Sequence, residues 1–436
     1  MKLLLMGLGQ VGTSLLNLLL KENEFKIDDI FILDKDESVF DKFIKFGGNR
    51  NNCIQLFITS SNYLSIFDNV QENDFVVDLV NGVDNLMLAN ECSKRNIHYL
   101  STCDDCFDDK FNCFTFQNHY DLYKALHEDS KNRATSLVEF GMNPGLVNVF
   151  TKKALVDIVE TDDSEYVAKN RAHLQDLIAK DDFNLLAKEL GVAKFVETDI
   201  DVTKTNIKED KNTVYSTWNV PDYDIEIHEN SIIKLGTEEK LSDVLDTFNV
   251  SEDDIYYLNK NNGTLILDKN SLEMKSDTFS SRGKFSGHLV SHEENFSLFD
   301  YYTIRDNEGN IDYAPTMYFL YKPCDLALNS VIEHEENNLM KLILKSDMIS
   351  GGEAVGMVVF GKNFTPRYVG NYLDIKDSFF ETPTILQVSI GCLSAIKYIK
   401  NHPQQGLLFP EHANVNEIIE YASKYMKIDS IKLTEL

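Results

Sequence analysis

The chain is short of several things that would each mark a class of protein. It has 42 basic against 70 acidic residues, for a formal net charge of −28. Nucleic acid binding draws on a basic footprint, so that class is disfavoured; a cationic substrate would be attracted instead. No apolar run reaches the roughly 20 residues that span a bilayer. The apolar opening Met1–Met6 ends at once in glycines, without the small-residue cleavage site of a signal peptide. A cytoplasmic chain that engages no membrane is therefore expected. Seven cysteines, odd in number and irregularly spread, do not make a disulfide framework. Cys103-x-x-Cys106 with Cys113 is at most half a zinc site, and no second CxxC or HxxxH completes it. No metal is expected.

What is present begins with Lys2–Met6, a continuous apolar run that reads as a buried strand. It closes in Gly7-Leu8-Gly9-Gln10-Val11-Gly12 and leads into a leucine-rich helix. Between a strand and a helix, GxGxxG is the dinucleotide fingerprint. Gly7 makes the tight turn, Gly9 admits the pyrophosphate to the backbone, and Gly12 lets helix pack on strand. Gln10 precedes, and Val11 opens, the helix to Lys21 whose amides and dipole face the phosphates. The next strand, Ile30–Leu33, ends in Asp34, an acid placed to accept ribose hydroxyls and repel a 2′-phosphate. That favours NAD over NADP, with Lys35 weakening the exclusion slightly. Strand–helix alternation continues through Phe75–Val80, Asn85–Arg95 and Ile97–Thr102. Asn81 and Thr102 thus fall at strand C-terminal ends, where open α/β sheets place ligands. The block Asp104–Asp109 reads as a turn at that edge, with one carboxylate toward the cofactor.

Pro144 and Gly145 bend the chain before a helix, which marks a domain boundary. The fold class that results is α/β: an NAD-binding Rossmann-like domain with a parallel sheet, plus a second α+β domain for catalysis and dimerisation. The first covers 1–140, with the apolar helix and tail 383–436 packing back on it; the second covers 141–382. Within the second, Lys194–Ile207 and Val214–Val220 read as strands. So do Ser286–Val290, Asp300–Ile304, Pro315–Tyr321 and Gly356–Phe360, with Lys345–Glu353 a loop. The chain's single tryptophan, Trp218, sits amid Asp199, Asp201, Asp222, Asp224, Glu226 and Glu229. An indole face attracts cations by roughly 0.5–2 kcal/mol, and carboxylates attract them more strongly. A core tryptophan beside a solvated acidic loop is the plainer alternative for this stretch taken alone.

Three groups of residues carry a family resemblance: Phe140-Gly-Met-Asn-Pro-Gly-Leu-Val, Thr217-Trp218 with Gly236-Thr-Glu-Glu, and Gly287-His-Leu-Val-Ser-His-Glu-Glu. Together with Leu386-Gln387-Val388, Gly391 and the tail Asn401–Gly406, they resemble homospermidine synthases of the saccharopine dehydrogenase-like superfamily, over nearly the whole chain. The resemblance implies a held NAD, a homodimer, and putrescine and other diamines or polyamines, such as spermidine, as substrates. It implies that putrescine is oxidised to an imine, a second amine displaces ammonia, and the new imine is reduced again. It also implies roles by position: Trp218 beside the cationic intermediates, Glu226 on an amine, and Asn143, His292, Glu294 and Glu353 as polar pocket residues. Asp105 and Asp199 stand where the family has glutamates, and Lys234-Leu235 where it tends to have Gly-Trp.

The chemistry is consistent with the residue types. An alkylammonium, with a pKa near roughly 10.4, must lose a proton before hydride leaves its carbon; a carboxylate or His292 is available to take it. The iminium that forms is stabilised by fixed anions and an indole face. A reductive condensation of the saccharopine or carboxynorspermidine dehydrogenase type is the enzymatic alternative. Its carboxylate substrates call for arginine clamps, and only Arg282 and Arg367 lie near the motifs. An inactive NAD or polyamine sensor is a further alternative.

Overall fold

Strand β1 (Leu3–Met6) is buried at every residue, as a strand covered on both faces must be. The computed structural model describes residues 1–107, 113–332, 339–379 and 381–434. In it, β1 lies between β2 (Ile30–Asp34) and β4 (Phe75–Asp78), both parallel to it. Outside β2 lies β3 (Cys53–Gln55). Beyond β4 come β5 (His98–Ser101), β6 (Ser136–Leu137) and Leu407–Leu408, completing a seven-stranded parallel sheet. Because successive strands run to opposite sides of β1, a crevice opens at its carboxyl end.

This sheet belongs to a compact unit made of Met1–Leu146 and Ile385–Tyr425. The helix Pro383–Asn401 enters it through a backbone contact: a Cβ on Gly391 would lie 1.9 Å from the carbonyl oxygen of Gly141. Ion pairs hold its far end, with Lys397 on Glu22 and Lys400 Nζ 2.9 Å from Glu24. Lys400 also lies 4.1 Å over the ring of Phe25. The tail divides, however. Met426–Leu436 falls in the second unit, where strand Ile428–Lys432 pairs with Arg367–Asp374. The division of the chain thus falls at 146/147, 384/385 and 425/426, not at 140 and 382.

The second unit, Val147–Thr384 with Met426–Leu436, is built on a ten-stranded mixed sheet. At its centre is β7 (Val192–Asp201), parallel to Thr316–Lys322 on one side and antiparallel to Gly352–Gly361 on the other. Three local expectations change. Val214–Val220 is a strand only over Thr213–Ser216. The chain bends at Thr217-Trp218 and enters the helix Val220–His228, capped by Asn219 and carrying Pro221 in its first turn. Those are helix-start residues. Asp300–Ile304 is no continuous strand, because the helix Glu294–Tyr302 runs through it, nearly all buried; packing overrides the β preference of its aromatics. Glu353 lies on the strand Gly352–Gly361, not in a loop. Among the described residues, no helix is long and apolar enough to cross a membrane.

Gly391→Ala pushes a methyl into the Gly141 carbonyl, and backbone has little room to yield. Chemical denaturation should show a loss of about 1–3 kcal/mol, as for an overpacked core; an unchanged midpoint would mean the helix is not seated there.

Candidate functional site

The glycine loop after β1 has the geometry a dinucleotide needs. Gly7 has φ +86°, and a Cβ there would meet the Leu79 carbonyl oxygen at 2.6 Å. A Cβ on Gly12 would meet the Gly7 carbonyl oxygen at 2.0 Å, so close packing of helix on strand requires glycine. At Gly9 nothing lies within 4 Å of a built Cβ: the loop is open where a pyrophosphate would approach. The helix Gln10–Lys21 starts with no side-chain cap, leaving its first amides directed at that space. Asp34 ends β2, and its carboxylate accepts from Leu8 N at 2.8 Å and Asp36 N at 2.9 Å. The residues present fit a dinucleotide.

Around the same sheet edge, Asn81 is exposed and Thr102 half-buried. Asp105 accepts from the Gly82 and Cys106 amides and its own amide donates to Asn85 Oδ1 at 2.7 Å. Asn85 and Tyr99 in turn donate to the buried Asp78 at 2.9 and 2.8 Å. Burial pushes the Asp78 pKa up to about 7, with these hydrogen bonds opposing. The acidic block is only partly a surface turn, since Asp104 is buried against His119 Nδ1 at 2.9 Å. Asp108 and Asp109 lie outside the described residues. Asn143 is half-buried in the Gly141–Gly145 turn. Asp105 and Asn143 both belong to the first unit.

The second unit gathers the other acids on one face of β7. Alternation places Glu197, Asp199 and Asp201 on the same side, all buried. Their neighbours in register are Phe319 and Tyr321 on one strand and Glu353, Val355 and Met357 on the other. Glu353 lies opposite Asp201 in register and its side chain hydrogen-bonds to that of Asp199; burial, with the charge of Asp201 adding to it, pushes its pKa up to about 8. The ring of His292 stands edge-on to Phe319, centroids 5.2 Å apart. Its Nδ1 pairs with Glu294 and lies 3.4 Å from Glu293.

Burial alone would depress His292, but Glu294, Glu293 and Glu226 outweigh it and raise its pKa well above the imidazole range. Burial likewise opposes ionisation of Glu294, yet the His292 cation wins and holds it below the usual carboxylate range. Glu226, buried on the helix Val220–His228, is pushed up to about 8 by desolvation, with Glu293, Glu294 and Asp222 adding to it. Glu229 is raised well above its ordinary value by burial and Glu226.

Trp218 is partly buried at the bend before that helix. Thr217 pins the bend by donating to Asp201 Oδ2 at 2.9 Å. The indole meets the Tyr223 ring edge-on at 6.5 Å, and Tyr223 meets Tyr321 at 6.4 Å. Trp218, Asp199, Glu226, His292, Glu294 and Glu353 therefore belong to one connected cluster. Sequence reasoning missed Glu197, named Asp201 only as part of the acidic stretch around Trp218, and gave Glu293 no role. The alternation Glu197-Thr-Asp199-Ile-Asp201 was the available signal for the first two. Lys234 is turned away into a cage of its own, 2.9 Å from Thr264 Oγ1 and over the rings of Phe296 and Phe299 at 4.6 and 5.0 Å. Among the described residues, the ligand atoms of His292, Glu293 and Glu294 lie within 4.8 Å of one another.

Residues 3–138 match the family described as saccharopine dehydrogenase NADP binding domain. Over 97% of its length the chain is similar to homospermidine synthase from Mesorhizobium japonicum, at 21% identity and covering 88% of that protein. Similarity to homospermidine synthase from Blastochloris viridis is 22%, covering 97% of this chain and 89% of that one. The fold matches the crystal structure of homospermidine synthase from Legionella pneumophila in complex with NAD, with a TM-score of 0.85 at 23% identity. That match covers 100% of this chain and 92% of the other. A more distant likeness, TM-score 0.55 at 9% identity, is to saccharopine dehydrogenase (L-Glu forming) from Saccharomyces cerevisiae, covering 99% of each chain.

The raised acids make stability depend on pH. Glu226 and Glu353 have folded pKa values of about 8, against roughly 4.3 unfolded. Between those values the folded chain binds more protons. Their contribution is therefore full below about pH 4 and lost as pH rises through about 8. Raised His292 acts in the same direction from its ordinary value upward, while lowered Glu294 opposes on acidification. The melting temperature should fall from about pH 5.5 to 8.5, and fall less in Glu226→Gln. A melting temperature that rises across that interval would contradict these assignments.

Proposed function

We propose that the chain is a homospermidine synthase, joining two diamines with release of ammonia. The observation that carries this reading is the buried acid face of β7 with His292 and the Trp218 bend. Such a site is costly to build for a neutral or anionic ligand, because buried carboxylates crowded together repel one another and lose their hydration. A dication relieves that cost at two points, one near Glu226, Glu293 and Glu294 and one near Asp199, Asp201 and Glu353. NAD, bound at Gly7, Gly9, Gln10, Val11, Gly12 and Asp34 with Asn81 and Thr102 nearby, supplies the hydride acceptor and donor. Asp34 supports NAD over the 2′-phosphorylated form.

The chain's own residues do the rest. The reacting ammonium gives up a proton to Glu226. A pKa of about 8 leaves Glu226 largely neutral at pH 7, but an arriving cation lowers that pKa and frees the carboxylate to act as base. His292, held as imidazolium by Glu294 and Glu293, keeps that pair balanced and does not itself serve as the base. Once the carbon becomes an iminium, the Trp218 face and the fixed carboxylates stabilise it where it forms. Asp105 and Asn143, in the first unit, are further polar positions that the resemblance implies. Asp105 and Asp199 each lack one methylene of reach relative to glutamate, which bears on the diamine length preferred.

A reductive condensation with a carboxylate substrate fits less well. Arg367 is occupied by Ser430 and Thr161 at 3.1 and 2.9 Å, and Arg282 lies over Tyr372 at 4.5 Å. A mere sensor would have no need of a base tuned toward neutral pH. We also place the protein in the cytoplasm as a homodimer. The exposed apolar residues Leu339, Met340 and Ile349 support the latter, since they lie on short two-stranded ladders that leave strand edges open.

Purified protein with NAD and putrescine should form homospermidine and ammonia, followed by mass spectrometry; absence of both products would overturn the reading. Among variants, Glu226→Gln should be slowest, losing about 2–4 kcal/mol in the chemical step. Trp218→Leu should come next and Trp218→Phe should be fastest, since phenylalanine keeps a weaker π face. Melting temperatures and NAD content should stay similar across the two Trp218 variants. Full activity in all three variants would move the site elsewhere.

A further inference from the structure

Beneath the His292–Glu294 pair lies a residue that the chemistry above does not use. Glu197 is completely buried in the middle of β7, flanked in register by Phe319 and Met357. Both its carboxyl oxygens, and Glu294 Oε1, are buried without a hydrogen-bond donor from any other described residue. Glu294 Oε2 is taken by His292 Nδ1. The three lone oxygens belong to two side chains that meet each other: Glu197 and Glu294 are hydrogen-bond partners. Two carboxylates supply acceptors only, so the contact requires one proton between them.

We propose that Glu197 is a positioning residue, a neutral carboxyl that donates its proton to Glu294 Oε1 and so fixes Glu294 to hold His292. The inference rests on the reading of this site as a homospermidine synthase's, but it concerns the ligand-free protein as well. The charged groups facing Glu197 support the assignment of the proton. Glu294, Asp199 and its own burial all disfavour a charge on Glu197, and His292 favours one only in part. Glu226 and Glu293 bear on His292 and so reach Glu197 only through the pair. Glu294 has the imidazolium beside it and takes the negative charge. The proton therefore sits on Glu197. A carboxylic acid is used here as a hydrogen-bond donor in a place where a serine or an amide would also serve chemically.

The test compares two substitutions. Glu197→Gln replaces the acid's O–H with an amide N–H and keeps the donor without any charge change. Glu197→Leu removes the donor and leaves Glu294 Oε1 unpaired. With putrescine, kcat of the glutamine variant should stay within about threefold of the parent, and that of the leucine variant should fall roughly tenfold or more, with KM moving much less. Nitrogen NMR of His292 in ligand-free protein is the second reading. The imidazolium should titrate alike in the parent and Glu197→Gln. It should titrate lower in Glu197→Leu, because Glu294 without a donor becomes a stronger base and takes the shared proton. A glutamine variant that lowers the His292 titration by itself would show that Glu197 carries a charge and would overturn the proposal. Parent-like kinetics and titration in the leucine variant would overturn it too. If the leucine variant does not fold, the glutamine comparison decides alone. A parent protein that makes no homospermidine would sink the functional reading, while the NMR comparison still judges Glu197.

Discussion

Like charges crowded on one buried face of a strand are the constraint on which the second unit depends. Glu197, Asp199, Asp201 and Glu353 lie side by side on β7 and its neighbour, with Glu226, Glu293 and Glu294 converging around His292. Buried carboxylates repel one another and lose their hydration, so they cannot all ionise in the empty site. The cluster resolves this in three ways. Some members stay neutral, as the raised pKa values of Glu226 and Glu353 indicate. One pair is balanced by an imidazolium. Hydrogen bonds from Thr203 and Thr217 hold Asp201. On the function proposed above, an organic cation would take the place of those protons.

The two units are stabilised by different physics. The first holds its glycine loop through close backbone approach: at Gly7, Gly12 and Gly391 any side chain would collide with a carbonyl, so geometry is set by the absence of atoms. The second places polar groups in a core of aromatic rings, and its geometry is set by pairing. A substitution in the first should disturb shape, whereas one in the second should disturb charge. Lys234, whose charge would oppose the amine ligand proposed above, is held by Phe296, Phe299 and Thr264.

Local signals were legible in the sequence and long-range ones were not. The fingerprint from Gly7 to Gly12 and the acid at Asp34 are set by a short strand–turn–helix segment, and both were readable. His292 and Glu294 were named only through the family resemblance, because nothing local marks the pair as buried. Glu197 was passed over although it alternates with Asp199 and Asp201, since nothing local says that Thr316–Lys322 and Gly352–Gly361 pair with β7 and bury that face. Likewise Glu353 was assigned to a loop because its strand exists only through that pairing. The bend at Trp218 was misread as strand, although Asn219 and Pro221 are helix-start residues; the β-rich run before them dominated. The helix Glu294–Tyr302 was misread for the converse reason, aromatic content taken for strand when tertiary packing decided.

The central claim is that the acid cluster holds protons until a cation replaces them. Calorimetric titration of the NAD-loaded protein with putrescine at about pH 7, in buffers of different ionisation enthalpy, measures this directly. The apparent heat should vary with buffer in the sense of net proton release to the buffer on binding. A binding heat that is independent of buffer, or that reports proton uptake, would contradict the account.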